Sequence, residues 1–159
     1  MSTQNLMGLG MPAGLARHLA NADATLPRQV YYAVSTAPTT NNLNLTGANI
    51  TGAADEVYLN LTATLSAGAT VTLPTVAALV AAMQTAGMFP ELGMSFVLYI
   101  YNSSSGNYNW TTTTNTGWTL TATANTIAQN TMRPYLVTLV TISTATAQSL
   151  GEFTVTGAP

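Results

Sequence analysis

The chain has 159 residues, of which 5% are charged: three arginines, no lysine, five carboxylates and one histidine, for a formal net charge of -2, with no cysteine at all. That length suits one domain with a single core, and the composition excludes a disulfide-stapled mini-domain and leaves nothing to neutralise a phosphate backbone, so nucleic-acid binding is not expected. Titratable groups are too few for proton transfer or metal chemistry to be the default reading, so the composition points to contact rather than catalysis: no enzyme and no cofactor are expected.

Hydrophobic residues make up 47% of the chain, but Thr, Asn and Gly interrupt them every few positions. No run approaches the roughly 20 residues of a membrane helix, and the N-terminus has neither the basic start nor the apolar stretch of a signal peptide. Threonine supplies nearly one residue in five. Its branched side chain suits an exposed strand position, and its hydroxyl keeps that face wet. A hydrated but nearly neutral surface lowers the electrostatic repulsion that keeps proteins apart, which favours assembly.

In chain order, residues 1–28 form an arm distinct from the body at 29–159. Leu6, Met7, Leu9, Met11, Leu15 and Leu19 are its apolar positions, Gly8, Gly10 and Gly14 loosen the backbone, and Pro12 opens a short predicted helix ending at Asn21. A helix of eight or nine residues does not hold itself together in water, so its apolar face must dock, on its own body or on a partner. The methionines suit an irregular docking surface.

The body reads as strands. Val30 to Val34 comes first, then a stretch from Leu43 ending in Ile50-Thr51-Gly52. In the next, Val57, Leu59, Leu61, Ala63 and Leu65 alternate with Tyr58, Asn60, Thr62 and Thr64, giving one dry face. Val71-Thr72-Leu73 leads into a helix over about 75–86. Thr75 caps it, Val76, Leu79, Val80 and Met83 form its apolar stripe, Gly87 closes it and Pro90 prevents its resumption.

The later strands have two apolar faces. Phe96, Leu98 and Ile100 oppose Val97, Tyr99 and Tyr101, and Tyr135, Val137 and Leu139 oppose Leu136, Val140 and Ile142. In a two-sheet body the outer face should be wet. Phe96, Leu98, Tyr99, Tyr101, Tyr135, Val137 and Leu139 are therefore candidates for a subunit interface. Ser103 to Asn107 has the composition of a hairpin loop, and Asn115-Thr116-Gly117 that of a turn into Trp118. Pro134 implies an edge or a bulge before Tyr135. About eight short strands predict an all-β fold, an antiparallel β-sandwich or jelly roll with one helix and an extended arm. Leu61-Thr62-Ala63-Thr64 is echoed by Leu120-Thr121-Ala122-Thr123, which does not amount to a repeat.

The remaining constellations are weak as chemistry. His18 sits beside Arg17 in the arm with no nucleophile-elbow spacing to serve. Asp55 and Glu56 are adjacent, so on a strand they point to opposite faces. Glu91 and Glu152 could serve a hydrolase only if folding joined them, and no metal-loop spacing accompanies them. Tyr99, Tyr101, Tyr108, Trp110 and Trp118 fall within twenty positions; Tyr108, Trp110 and Trp118 could form a surface on which glycans stack, or could be core or interface residues around a Thr-rich loop. Five Asn-X-Ser/Thr sequons, starting at Asn44, Asn49, Asn60, Asn102 and Asn109, matter only in a secretory pathway.

Three stretches resemble bacteriophage virion proteins of the head-decoration, or capsid cement, kind. They are MGLGMPAGLARHLAN at Met7 to Asn21, VTLPTVAALVAAM at Val71 to Met83, and the aromatic-threonine block from Trp110 to Gly151. The resemblance covers well over half of the chain, and none of it is a catalytic signature. It implies a homotrimer on the outer surface of the capsid, made in the host cytoplasm, with the arm touching the major capsid protein. Membrane and nucleic acid are not among the partners it implies. The alternative is a receptor-binding or fibre-head module that recognises host glycans through the aromatic cluster.

Overall fold

The computed structural model describes residues 29–32, as backbone, together with 42–50, 56–121 and 124–155. The arm, with Leu6, Met7, Leu9, Met11, Leu15, Leu19 and His18, lies outside the described residues, as does Asp55.

Eleven strands and two helices follow one another among the described residues: β1 (Gln29–Tyr32), β2 (Asn42–Asn44), α1 (Gly47–Ile50), β3 (Glu56–Leu61), β4 (Ala69–Thr72), α2 (Val76–Thr85), β5 (Ser95–Asn102), β6 (Trp110–Thr113), β7 (Trp118–Thr121), β8 (Thr126–Ile127), β9 (Thr131–Leu139), β10 (Ala145–Ser149) and β11 (Phe153–Thr154). The protein is mostly β, as its alternating patterns predict. The chain visits two mixed sheets in turn. The larger has the order β1-β3-β5-β9-β10-β7, with β11 also on β9, and the smaller has the order β2-β4-β6-β8.

The expected antiparallel pairing holds for four of the nine strand pairs among the described residues. The pairs β1·β3, β3·β5, β2·β4, β4·β6 and β10·β7 are parallel, whereas β5·β9, β9·β10, β9·β11 and β6·β8 are antiparallel. Parallel neighbours need a long crossover, and from β1 to β6 each crossover is a visit to the other sheet. The result is a stack of tiers, each made of one strand from either sheet. Glu56 pairs with Val97 and Ala69 with Trp110. At the corner between these strands Thr64 bridges Ser105, and the two tiers stay in one register 41 residues apart.

This stacking corrects two local expectations. Ser103 to Asn107 is a corner between sheets rather than a hairpin loop. It lies on the corner of the tier before it: Ser103 N–H donates to the Leu61 carbonyl, Ser105 N–H to that of Ala63, and Leu65 N–H back to that of Ser105. The stretch from Leu43 through Ile50 begins in strand β2 but continues as α1, which packs against α2 so closely that a Cβ on Gly47 would collide with the Ala78 carbonyl and with the Ala82 methyl 2.8 Å away. Only glycine fits there.

The α2 expectation agrees with the structure. Thr75 Oγ1 accepts from Ala78 N–H at 3.1 Å, Val76, Leu79, Val80 and Met83 are buried, and Gly87 ends the helix with a φ of +77°. Both helices connect the end of a smaller-sheet strand to the start of a larger-sheet strand. They therefore close the end of the body at which β3 and β5 begin.

The two sheets share one core. Val57, Leu59, Leu61, Leu98, Ile100, Tyr135 and Val137 from the larger sheet and Val71, Trp110 and Ile127 from the smaller belong to it. Polar bonds tie the layers: Tyr135 donates to Thr112 Oγ1 at 2.9 Å and Trp110 Nε1 to Ser104 Oγ at 2.8 Å. Pro134 is not on an edge strand, and the expected irregularity beside it lies in the partner: between the pairs Ser149–Tyr135 and Phe153–Met132, three partner residues face two of β9. Pro134 lies opposite Tyr99 of β5, and on its other side the neighbouring strand changes from β10 to β11. Its carbonyl there accepts from Leu150 N–H at 2.9 Å, so the missing amide hydrogen falls where no ladder partner requires it.

Candidate contact surfaces

Alternation along β5 and β9 divides the predicted interface residues. Phe96, Leu98, Tyr135, Val137 and Leu139 are buried in the protein's own core, which takes them out of any subunit interface. Tyr99 and Tyr101 lie on the opposite, outer face of the larger sheet and are half-buried.

That outer face is apolar across several strands. Glu56, Val97 and Leu136 occupy one row. Tyr31, Tyr58, Tyr99 and Pro134 occupy the next in backbone register, and Asn60, Tyr101, Met132 and Phe153 a third. Parallel in-register stacking places like residues over like. The Tyr58 and Tyr99 rings lie 4.3 Å apart and 3° from parallel. Glu56 accepts from both phenols, from Tyr58 at 3.1 Å and from Tyr99 at 3.4 Å. Burial, then the hydrogen bond to Glu56 and its negative charge, push the Tyr58 phenol up to about 12. The Tyr101 hydroxyl is buried without a hydrogen-bond partner.

The aromatic residues weighed as a glycan platform do not share a face. Trp110 is fully buried beneath the Ser104 corner. Tyr108, 40% exposed, precedes β6 at that corner. Trp118 follows β6 at the opposite, helix-bearing end, where its Nε1 donates to the Pro74 carbonyl at 2.6 Å.

The carboxylates are separated as well. Glu91 is exposed in the connection from α2 to β5. Glu152, at the other end of the body, accepts from Ala128 N–H at 2.7 Å and from Thr131 Oγ1 at 2.6 Å, and pairs with Arg133 at 3.1 Å. Partial burial pulls the Glu152 carboxyl upward, but these hydrogen bonds and the arginine charge together hold it below its ordinary value. Arg133 also donates to the Thr126 carbonyl and to Ser149 Oγ, each at 3.0 Å. This cluster joins β8, β9 and the end of β10, and its polar atoms are used in doing so. Among the described residues no three His, Cys, Asp or Glu side chains gather as metal ligands, and no helix is long and apolar enough to cross a membrane.

Comparisons with family models, curated proteins and solved structures find no match. The assignment therefore rests on the surfaces themselves. Sequence reasoning missed two of their features: the tyrosine row and the exposure of Leu92, Val140 and Ile142. The first was visible as Val30-Tyr31-Tyr32, Val57-Tyr58-Leu59 and Leu98-Tyr99-Ile100, three copies of one short pattern that the unequal loops between them conceal.

Proposed function

We propose that this protein is a bacteriophage capsid decoration subunit. In this reading it binds the outside of an assembled head and stabilises the shell by non-covalent contacts. The observation that carries the proposal is a nearly uncharged, Thr-rich β body whose larger sheet presents a row of apolar and aromatic residues outward, from Val97 and Leu136 to Tyr99 and Tyr101. Such a face suits association with another protein better than turnover of a substrate. The two layers act as a β-sandwich that displays this face. A homotrimer formed through it would link three arms, and the arm residues Leu6, Met7, Leu9, Met11, Leu15 and Leu19 would engage the major capsid protein.

The energetics follow from mass action. A subunit that binds only the assembled shell stabilises it by about 2.7 kcal/mol at a hundredfold excess over Kd, and three linked arms raise avidity by roughly a hundredfold or more. The receptor-binding alternative has less support, because Tyr108, Trp110 and Trp118 do not form one exposed face. The test is co-sedimentation of the full chain with heads lacking this protein, alongside the arm variant Leu15→Ser/Leu19→Ser. Binding by the wild type that raises the shell's melting temperature, weakened by the arm variant, supports the proposal. A wild-type chain that stays in the supernatant overturns it.

A further inference from the structure

The parallel strands of the two sheets advance in step with the helices between them. α1 leads from β2 to β3 and α2 leads from β4 to β5, and the two helices pack side by side, with Gly47 of α1 against Ala78 and Ala82 of α2. Helix axes ordinarily stand about 8–10 Å apart, whereas neighbouring strands stand about 4.8 Å apart. The glycine at the crossing brings the helices closer to the spacing of the strands they serve.

β1 begins the parallel series of the larger sheet, and it too is preceded by a predicted helix, the stretch from Pro12 to Asn21. α1 ends at Ile50 and β3 begins at Glu56, while α2 ends at Thr85 and β5 begins at Ser95. The predicted helix ends at Asn21 and β1 begins at Gln29, an interval between the other two. Length agrees as well. The step from Asn42 in the first tier to Thr70 in the second is 28 residues, and residues 1–28 are what precede Gln29. Displaced by that step, Ala20-Asn21 falls on Ala48-Asn49 of α1. On α1 itself Gly47 and Ile50 are buried, but Ala48 is exposed.

We propose that the helix over Pro12 to Asn21 docks on α1, at the side that carries Ala48, as a third member of the helix row. The occupant is a segment of this chain, fixed by the length of chain ahead of β1 and by the helix-then-strand order that α1 with β3 and α2 with β5 both follow. Leu15, Ala16 and Leu19 supply its apolar face, and Gly14, Ala16 and Ala20 are small enough for the kind of close approach that Gly47 makes to α2. Docking gives a helix of that length the tertiary contact it needs in water. The inference stands apart from the decoration reading: with Leu15 and Leu19 on the body, Leu6, Met7, Leu9 and Met11 remain ahead of the helix as the part of the arm that reaches a partner.

The full-length chain has no cysteine, so a single pair can be introduced. Ala20→Cys/Ala48→Cys is compared with Ala20→Cys/Ser105→Cys, Ser105 being exposed at the opposite end of the body, in the rate of joining by a short bifunctional thiol reagent. Amide hydrogen exchange over residues 13–21 is measured on the wild type, so the test does not depend on either variant folding. The expected result is a monomeric cross-linked product at least tenfold faster from the first pair than from the second, a preference lost in urea, with the amides exchanging at least tenfold slower than in the unfolded chain. Equal rates overturn docking on α1, as do amides that exchange at the unfolded rate. A cross-linked dimer gives the helix to a second copy and overturns it too. Co-sedimentation with heads is read separately: its failure removes the decoration reading and leaves the docked helix standing.

Discussion

Arg133, buried near the start of β9, meets the Glu152 carboxylate at 3.1 Å, and the same carboxylate caps Ala128 N–H and the Thr131 hydroxyl. One side chain from the loop between β10 and β11 thus holds the start of β9 and the turn before it. Glu152→Gln keeps the shape and removes the charge. The Glu152 side chain is 32% exposed, which dilutes the ionic part, so the expected loss is about 1 kcal/mol near neutral pH. Because folding lowers this pKa, the contribution is complete above the ordinary carboxyl value of 4.5 and disappears as pH falls through the depressed folded value. Urea unfolding of both proteins from pH 7 downward should show their difference shrinking below that value.

Tyr135 donates to Thr112 across the core, and both are buried. Tyr135→Phe leaves the Thr112 hydroxyl unsatisfied and is expected to cost about 1–3 kcal/mol. The double variant Tyr135→Phe/Thr112→Val removes both partners and should cost less than the sum of the singles, read by a double-mutant cycle in urea.

Gly47 marks the closest approach of α1 to α2. Gly47→Ala forces its methyl against the Ala78 carbonyl. Backbone must shift to admit it, so a loss of about 1–3 kcal/mol is expected. Denaturant titration checks this, with Gly68→Ala as the comparison: a Cβ there meets nothing nearer than the Asn109 carbonyl at 4.0 Å.

Tyr58 should be among the last tyrosines to ionise. With the folded pKa near 12 against an ordinary 10.0, the folded protein holds its phenolic proton over a range in which the unfolded chain releases it. The stability this group contributes is complete below pH 10 and falls as pH rises from 10 towards 12. Ultraviolet titration of wild type and Tyr58→Phe should differ by one late-ionising phenol. Glu56→Gln should lower the Tyr58 midpoint only in part, because burial is the larger cause.

Local patterns were legible wherever one residue's environment depends on near neighbours. The period-two run from Val57 to Leu65 and the Thr75-capped helix needed only alternation, a cap and a closing glycine. Strand pairing was not legible. Parallel and antiparallel neighbours present the same alternation, and the tiers are joined by connections of unequal length, so the tyrosine row did not appear at a constant period. The edge expected at Pro134 was absent and the offset expected there lies in the strand on its other side, between β10 and β11; where a neighbouring strand breaks is a tertiary event.

By itself the sequence determined a weakly charged, Thr-rich, β-dominated body, because composition and alternation depend only on residue type and order. The tertiary structure decided which face each apolar residue serves. Tyr99 turns outward while Leu98 enters the core and Trp110 is enclosed instead of offered to a ligand, because register and crossover are settled by packing two sheets around a common interior rather than by any local stretch of chain.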